Sequence, residues 1–153
     1  LEERDDVLVY TSGMLNQPLE ITGPVKLVLY AASTAPDTDF TAKLVDVHPG
    51  GKAYNLCEGI VRARYRDPAK GASLIEPGQV YPYEIDLWVT SNVFLPGHRV
   101  RIEVSSSNFP RFDRNPNSGK EFGTDTELLK ATQTIYHNEQ YPSHVVLPVI
   151  PRK

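Results

Sequence analysis

One cysteine, one methionine and one tryptophan occur in the 153 residues, and these shortages already exclude several classes. A single thiol, Cys57, rules out an intramolecular disulfide and says little about redox compartment. No run comes near the roughly 18 consecutive apolar residues that a membrane-spanning helix needs. Basic charge is in deficit, with 16 Lys and Arg against 19 Asp and Glu for a net charge of −3, so the electrostatic footprint of a nucleic-acid binder is missing. The chain opens without a secretory signal. It begins at Leu1 in a charged stretch rather than at a methionine, and is therefore expected to be a piece of a longer protein.

What is present is ordinary globular composition: 40% hydrophobic and 23% charged residues, which argues against disorder. A chain of this length is one domain by the usual prior, able to bury about 68–70% of its unfolded surface. Helical periodicity is scarce, and short alternating apolar runs separated by Pro and Gly turns recur instead. Expected strands are Val7 to Tyr10, Leu19 to Thr22, Val25 to Ala32, Phe40 to Val45, Ile60 to Arg66, Tyr81 to Val89, Val100 to Val104, Thr132 to Tyr136 and Val145 to Ile150. Gly23-Pro24 closes the second of these. Tyr81, Tyr83, Ile85, Leu87 and Val89 share a core face by parity, and Pro148 marks the last strand as an edge. Ser105 to Gly123 is a long loop, and Thr124 to Lys130 reads as one short helix capped by Thr124 or Asp125. About eight or nine strands with no βαβ rhythm predict an all-β fold, a jelly-roll sandwich of antiparallel sheets.

Few residues offer chemistry. Gly71-Ala72-Ser73-Leu74-Ile75 lacks the second glycine of a nucleophile elbow and has no helix after it, so Ser73 reads as a loop serine. His48, His98, His137 and His144 show no metal-ligand spacing, and Cys57 reads as a buried, inert thiol. Asp113-x-Asn115-x-Asn117 copies the start of a calcium loop, but the glycine comes one place late at Gly119 and Thr124 stands where a bidentate glutamate belongs. Asx-turns explain the same residues. No catalytic residue, cofactor or metal is therefore assigned. Arg62, Arg64 and Arg66 on one strand, with Arg99 and Arg101 on another, form either a solvated sheet face or a docking face for an acidic partner domain. Trp88 has the parity opposite to the core and is either an interface anchor or buried in the second face.

Six ordered blocks carry a resemblance. They are Arg4 to Tyr10, Pro36 to Val47, Gly59 to Arg66, Thr90-Ser91-Asn92-Val93-Phe94-Leu95-Pro96-Gly97-His98-Arg99, Ser105-Ser106-Ser107-Asn108-Phe109-Pro110-Arg111-Phe112-Asp113-Arg114-Asn115, and Pro142 to Pro148. Together they resemble the C-terminal domain of the CocE/NonD serine hydrolases, a family that takes in cocaine esterases, X-Pro dipeptidyl-peptidases, glutaryl acylases and α-amino-acid ester hydrolases. The likeness runs from about Arg4 to Ile150. It implies a three-part protein in which an α/β-hydrolase domain carries a Ser-His-Asp triad, a helical cap covers it, and a galactose-binding-like jelly roll packs on both. The triad motifs match no position here, so the chain is expected to be the non-catalytic jelly roll, residues 1–153. Its implied partners are the hydrolase and cap domains of the same polypeptide, with no nucleic acid and no membrane. Homo-oligomerisation and compartment stay open, the cytoplasm being the default expectation. The long loop is the candidate docking element, with Phe109 and Phe112 as anchors and Arg111, Asp113 and Arg114 as polar partners. A carbohydrate-binding module is the alternative, by fold analogy.

Overall fold

A computed structural model describes residues 4–121 and 123–151. Leu1, on which the reading of the amino terminus rests, and Phe122 of the long loop lie outside the described residues. Eight strands form: β1 (Val7–Thr11), β2 (Leu19–Ser33), β3 (Asp39–Val47), β4 (Ala53–Arg62), β5 (Tyr81–Phe94), β6 (Arg99–Ser105), β7 (Gln133–Tyr136) and β8 (His144–Val146). One 3₁₀ turn, Ala63–Tyr65, follows β4. The strands pair antiparallel into two sheets. The first has the order β1-β6-β3-β4, and in the second β5, β2 and β7 lie side by side with β8 also on β2. The fold is an all-β sandwich, as the alternation predicts. Among the described residues no helix is long and apolar enough to cross a membrane.

The two sheets meet through alternate residues. Ile21, Val25, Leu27, Leu29 and Ala31 of β2 face Phe40, Ala42 and Leu44 of β3, and Tyr83, Ile85 and Leu87 of β5 join them. Gly23-Pro24 does not end a strand. Pairing with β5 runs through both residues, Gly23 opposite Thr90 and Pro24 opposite Val89, so the two expected strands are one of 15 residues. Val25 to Ala32 is also not buried on both sides, since Val28 and Tyr30 are only half-buried.

A bulge corrects the parity of β5. Pro24 pairs with Val89 and Lys26 with Asp86, so Leu87 and Trp88 together oppose Val25. Trp88 takes up the extra residue in a left-handed conformation, φ 70°, and the Asp86 carboxylate accepts its N–H at 2.8 Å. Beyond this point the core face shifts by one residue. Val89 turns outward, 69% exposed, while Phe94 is fully buried.

Three other expectations are revised. β4 begins at Ala53, where exposed residues carry no alternating signal, and ends at Arg62 because the chain curls into the 3₁₀ turn. Arg62, Arg64 and Arg66 therefore do not share a strand face. Residues 124–130 form no helix. Asp125 does accept the Glu127 N–H, as a cap would, but the Leu129 N–H goes across to the Pro116 carbonyl instead of back one turn. The last strand is only three residues, outside β2, and a bridge from Ile21 to Val149 continues its line past Pro148.

β4 and β5, edge strands of different sheets, approach closely at Gly59 and Asp86. A Cβ on Gly59 would sit 1.9 Å from the Asp86 carbonyl oxygen, which is why only glycine fits. Beside it, burial pushes the Cys57 thiol up to about 11, with the charges of Asp86 and Glu58 adding to the effect. Gly59→Ala should cost about 1–3 kcal/mol, a drop of several degrees in thermal midpoint; an unchanged melt would contradict the close approach. Cys57 should react slowly with a thiol reagent at pH 8 in the folded chain and rapidly in guanidinium. Since its folded value exceeds the ordinary 9.0, the stability it contributes is complete below that pH and is lost as pH rises toward 11. Equal reaction rates folded and unfolded would refute its burial.

Candidate functional site

Two carboxylates at the start of β3 organise one end of the molecule. Asp37 is 0% exposed and Asp39 1%, and burial on that scale is tolerable only with full pairing. Arg62 supplies a fork to Asp39, Nε to Oδ1 at 2.8 Å and the second nitrogen to Oδ2 at 3.1 Å. That hydrogen bond holds the Arg62 guanidinium above its ordinary value despite burial. Arg64 donates to Asp37 through Nε at 2.7 Å and through its backbone N–H at 3.0 Å. The 3₁₀ turn after β4 exists to make this possible, since Ala63 is fully buried and its N–H bonds the Thr38 carbonyl.

The same carboxylates hold the long segment between β6 and β7. Asn115 Nδ2 donates to Asp37 at 3.0 Å and to Asp39 at 2.9 Å. Its oxygen accepts the Asn117 N–H, and the Asn117 amide donates to the Leu129 carbonyl. Asn115 and Asn117 of the calcium-like spacing are thus engaged in Asx-turn geometry and in carboxylate bridging. Farther along, Arg64 donates to the Lys120 carbonyl at 2.7 Å. A second anchor is Glu58 of β4, which receives Asn108 Nδ2 at 2.8 Å and pairs with Arg111 Nε at 2.7 Å.

Of the sequence-predicted docking residues, the structure gathers five on this segment and leaves one apart. Phe109 stands out, 57% exposed, with the Arg114 guanidinium over its ring at 4.6 Å. Phe109 and Arg114 border a polar cleft of about 430 Å³ with Arg4, Lys43 and Glu103. Phe112 is half-buried. With Asp113, Asp39, Arg62 and Tyr65 it lines a shallower hollow of about 270 Å³. Trp88 lies on β5 of the other sheet, 69% exposed, so the buried alternative is excluded.

The expected arginine stripe on one strand needs correction. Arg62 and Arg64 are spent on Asp39 and Asp37 within the chain. Arg66 donates to the carbonyls of Ala63 and Ser73 and lies over the Tyr81 ring at 4.5 Å. Arg101 bonds Thr11 on β1 and Arg99 the Ser12 carbonyl. Each of these guanidinium groups has a partner within the chain, and Arg62, Arg64 and Arg66 do not line one strand face.

The histidines fall in three places. His144 Nδ1 contacts the Pro142 carbonyl, and the His137 ring meets Tyr10 edge-on at 5.7 Å. His98 and His48 come together with Asp46 at the far end of β3, a grouping that sequence spacing missed. Asp46-x-His48 does place two ligand-type residues on one strand face, but His98 arrives from a remote part of the chain. Ser73 uses its backbone N–H and carbonyl to bind Arg64 and Arg66.

Asn115→Ala removes a donor from two buried carboxylates at once. It should cost about 1.5–3 kcal/mol in a denaturant melt and open residues 106–132 to limited proteolysis. Unchanged stability and cleavage would show that the segment is held by other contacts.

Comparison with known proteins gives a consistent picture. Residues 1–146 match the family described as the X-Pro dipeptidyl-peptidase C-terminal non-catalytic domain. Cocaine esterase from Rhodococcus sp. (strain MB1 Bresler) is 51% identical over 99% of this chain, which spans 27% of that protein's length. An aminopeptidase crystal structure from the marine sediment archaeon Thaumarchaeota archaeon superposes with a TM-score of 0.92 at 34% identity, over 98% of this chain and 27% of the other. An α-amino acid ester hydrolase does so with 0.91 at 33% identity, over 97% and 26%. The resemblance carried by the six sequence blocks therefore holds, and the chain belongs to the non-catalytic C-terminal domains of X-Pro dipeptidyl-peptidase and CocE/NonD-type hydrolases.

Proposed function

We propose that this chain is one domain of a larger serine hydrolase, packing on its α/β-hydrolase and cap domains and helping to wall the acyl pocket. The observation that carries the reading is Phe109, a mostly exposed aromatic displayed on a segment whose base is fixed by buried carboxylates. Free chains gain nothing from holding an aromatic ring in water. Burying such a ring against a partner is worth about 1.5–3 kcal/mol, and a pre-set loop avoids the entropy of ordering it on contact. Trp88 and Val89, each 69% exposed and adjacent on the bulge of β5, offer a second apolar contact. Arg111, Asp113 and Arg114 surround the aromatics with the polar rim typical of an interface. Acyl transfer needs a dry, preorganised cavity, and a rigid sandwich can close one side of it without contributing a reacting group.

The test compares two contexts. Phe109→Ala and Trp88→Ala should leave the isolated chain within about 0.5 kcal/mol of its stability, as surface changes do. In the larger polypeptide they should lower the thermal midpoint and kcat/KM for a p-nitrophenyl ester, while the isolated chain hydrolyses none. Equal behaviour of variant and parent in the larger polypeptide would overturn the docking assignment. Saturable binding of a simple sugar, lost in Trp88→Ala, would favour the carbohydrate-binding alternative.

A further inference from the structure

The end of β3 opposite the Asp37–Asp39 pair carries the grouping of Asp46, His48 and His98. Asp46 and His48 lie two residues apart and so on one face of the strand line. The β3–β6 register pairs Asp46 with Val100 and Val47 with Arg99, and the next step outward sets His48 opposite His98. Their rings lie 4.1 Å apart between centroids, and Tyr54 backs His48 at 4.7 Å. Asp46 and His98 are buried, 5% and 7% exposed, whereas the His48 side chain is 41% exposed.

The polar atoms converge. His98 Nδ1 is 2.8 Å from Asp46 Oδ1, and His48 Nε2 is 3.7 Å from Asp46 Oδ2. One ligand atom from each of the three residues falls within 4.8 Å of the other two. The 3.7 Å separation is too long for a hydrogen bond. An ion about 2.0–2.1 Å from each ligand asks for ligand atoms about 3.3 Å apart. The three ligand atoms now lie within 4.8 Å of one another, so binding draws them in through the torsions of the partly exposed His48 side chain while the 2.8 Å His98–Asp46 contact opens by about 0.5 Å. We propose that Asp46, His48 and His98 form a divalent metal site selective for zinc. Two imidazoles and one carboxylate are a borderline-soft set suited to zinc and poor for calcium or magnesium, which want oxygen throughout. Two of the ligands are buried and strand-borne, which fixes their geometry, and the exposed side of His48 gives the ion a path in and leaves a position for water. The ion ties the exit of β3 to the entry of β6 and stabilises the turn at 48–52.

The experiment uses the 153-residue chain after chelator treatment and desalting. Zinc titration should show about one ion bound per chain with a raised thermal midpoint, and cobalt should give the visible absorption of a tetrahedral centre. His48→Ala changes a partly exposed residue, so it keeps the fold. It should weaken zinc binding by more than about tenfold and abolish the cobalt band. His137→Ala should bind like the parent, and calcium should leave the melt unmoved. Absence of saturable zinc uptake in the micromolar range overturns the site. Equal zinc affinity in His48→Ala, or loss in His137→Ala instead, does the same.

Discussion

Two carboxylates with almost no access to water, Asp37 and Asp39, set the terms for one end of this domain. Leaving either without a partner is worth about 3–5 kcal/mol of destabilisation, so the surrounding chain is arranged around them. Arg62 ends β4 directly opposite Asp39, the turn after it lets Arg64 reach Asp37, and Asn115 is drawn in from a segment more than 70 residues away in sequence. One amide nitrogen shared between two carboxylates leaves little freedom for the backbone on either side of it. The irregular residues 106–121 and 123–132 thus acquire a fixed course without helix or strand.

That constraint bears directly on what the domain does. A family of non-catalytic domains must act through shape, and shape is useful only when it persists. The aromatic and charged residues along residues 109–114 are presented from a base that is itself part of the core. At the other end of β3, roughly 20–25 Å away by strand rise, the Asp46–His48–His98 group fastens β3 to β6. The strand that runs through the middle of the first sheet is pinned at both ends by polar clusters, while Phe40, Ala42 and Leu44 between them carry the apolar core.

Much of the fold was legible in the amino-acid order. Val100, Ile102 and Val104 alternate with charged neighbours and do form a strand, although Glu103 among those neighbours is also buried, and the long loop lies where apolar periodicity vanishes. What escaped was decided by contacts between distant residues. Gly23-Pro24 resembles a turn, yet both residues pair across to β5. The parity of Val89 depends on an extra residue at Trp88, visible only once the register with β2 is known. The arginines look like a stripe because alternation cannot show that the chain will curl after Arg62, which stays on β4 opposite Asp39, and carry Arg64 into a turn that reaches Asp37. Asp125 accepts the Glu127 N–H but starts no helix, for Pro116 takes the Leu129 amide that would have continued the turn. Of the candidate site, parity left Trp88 open between an exposed and a buried position, whereas Phe109 and Phe112 could be named in advance. The histidine cluster could not, for its third member is brought in by strand pairing.

Amide hydrogen exchange on the folded chain tests the central claim most directly, because residues 106–121 and 123–132 lack regular structure and are protected only if tethered. The N–H groups of Arg111, Phe112, Asn117 and Leu129 all have intramolecular acceptors. The account requires them to exchange on the timescale of the neighbouring strands β3 and β4. Exchange at the rate of an unstructured peptide, with those strands still protected, would show that the buried carboxylates do not hold the segment.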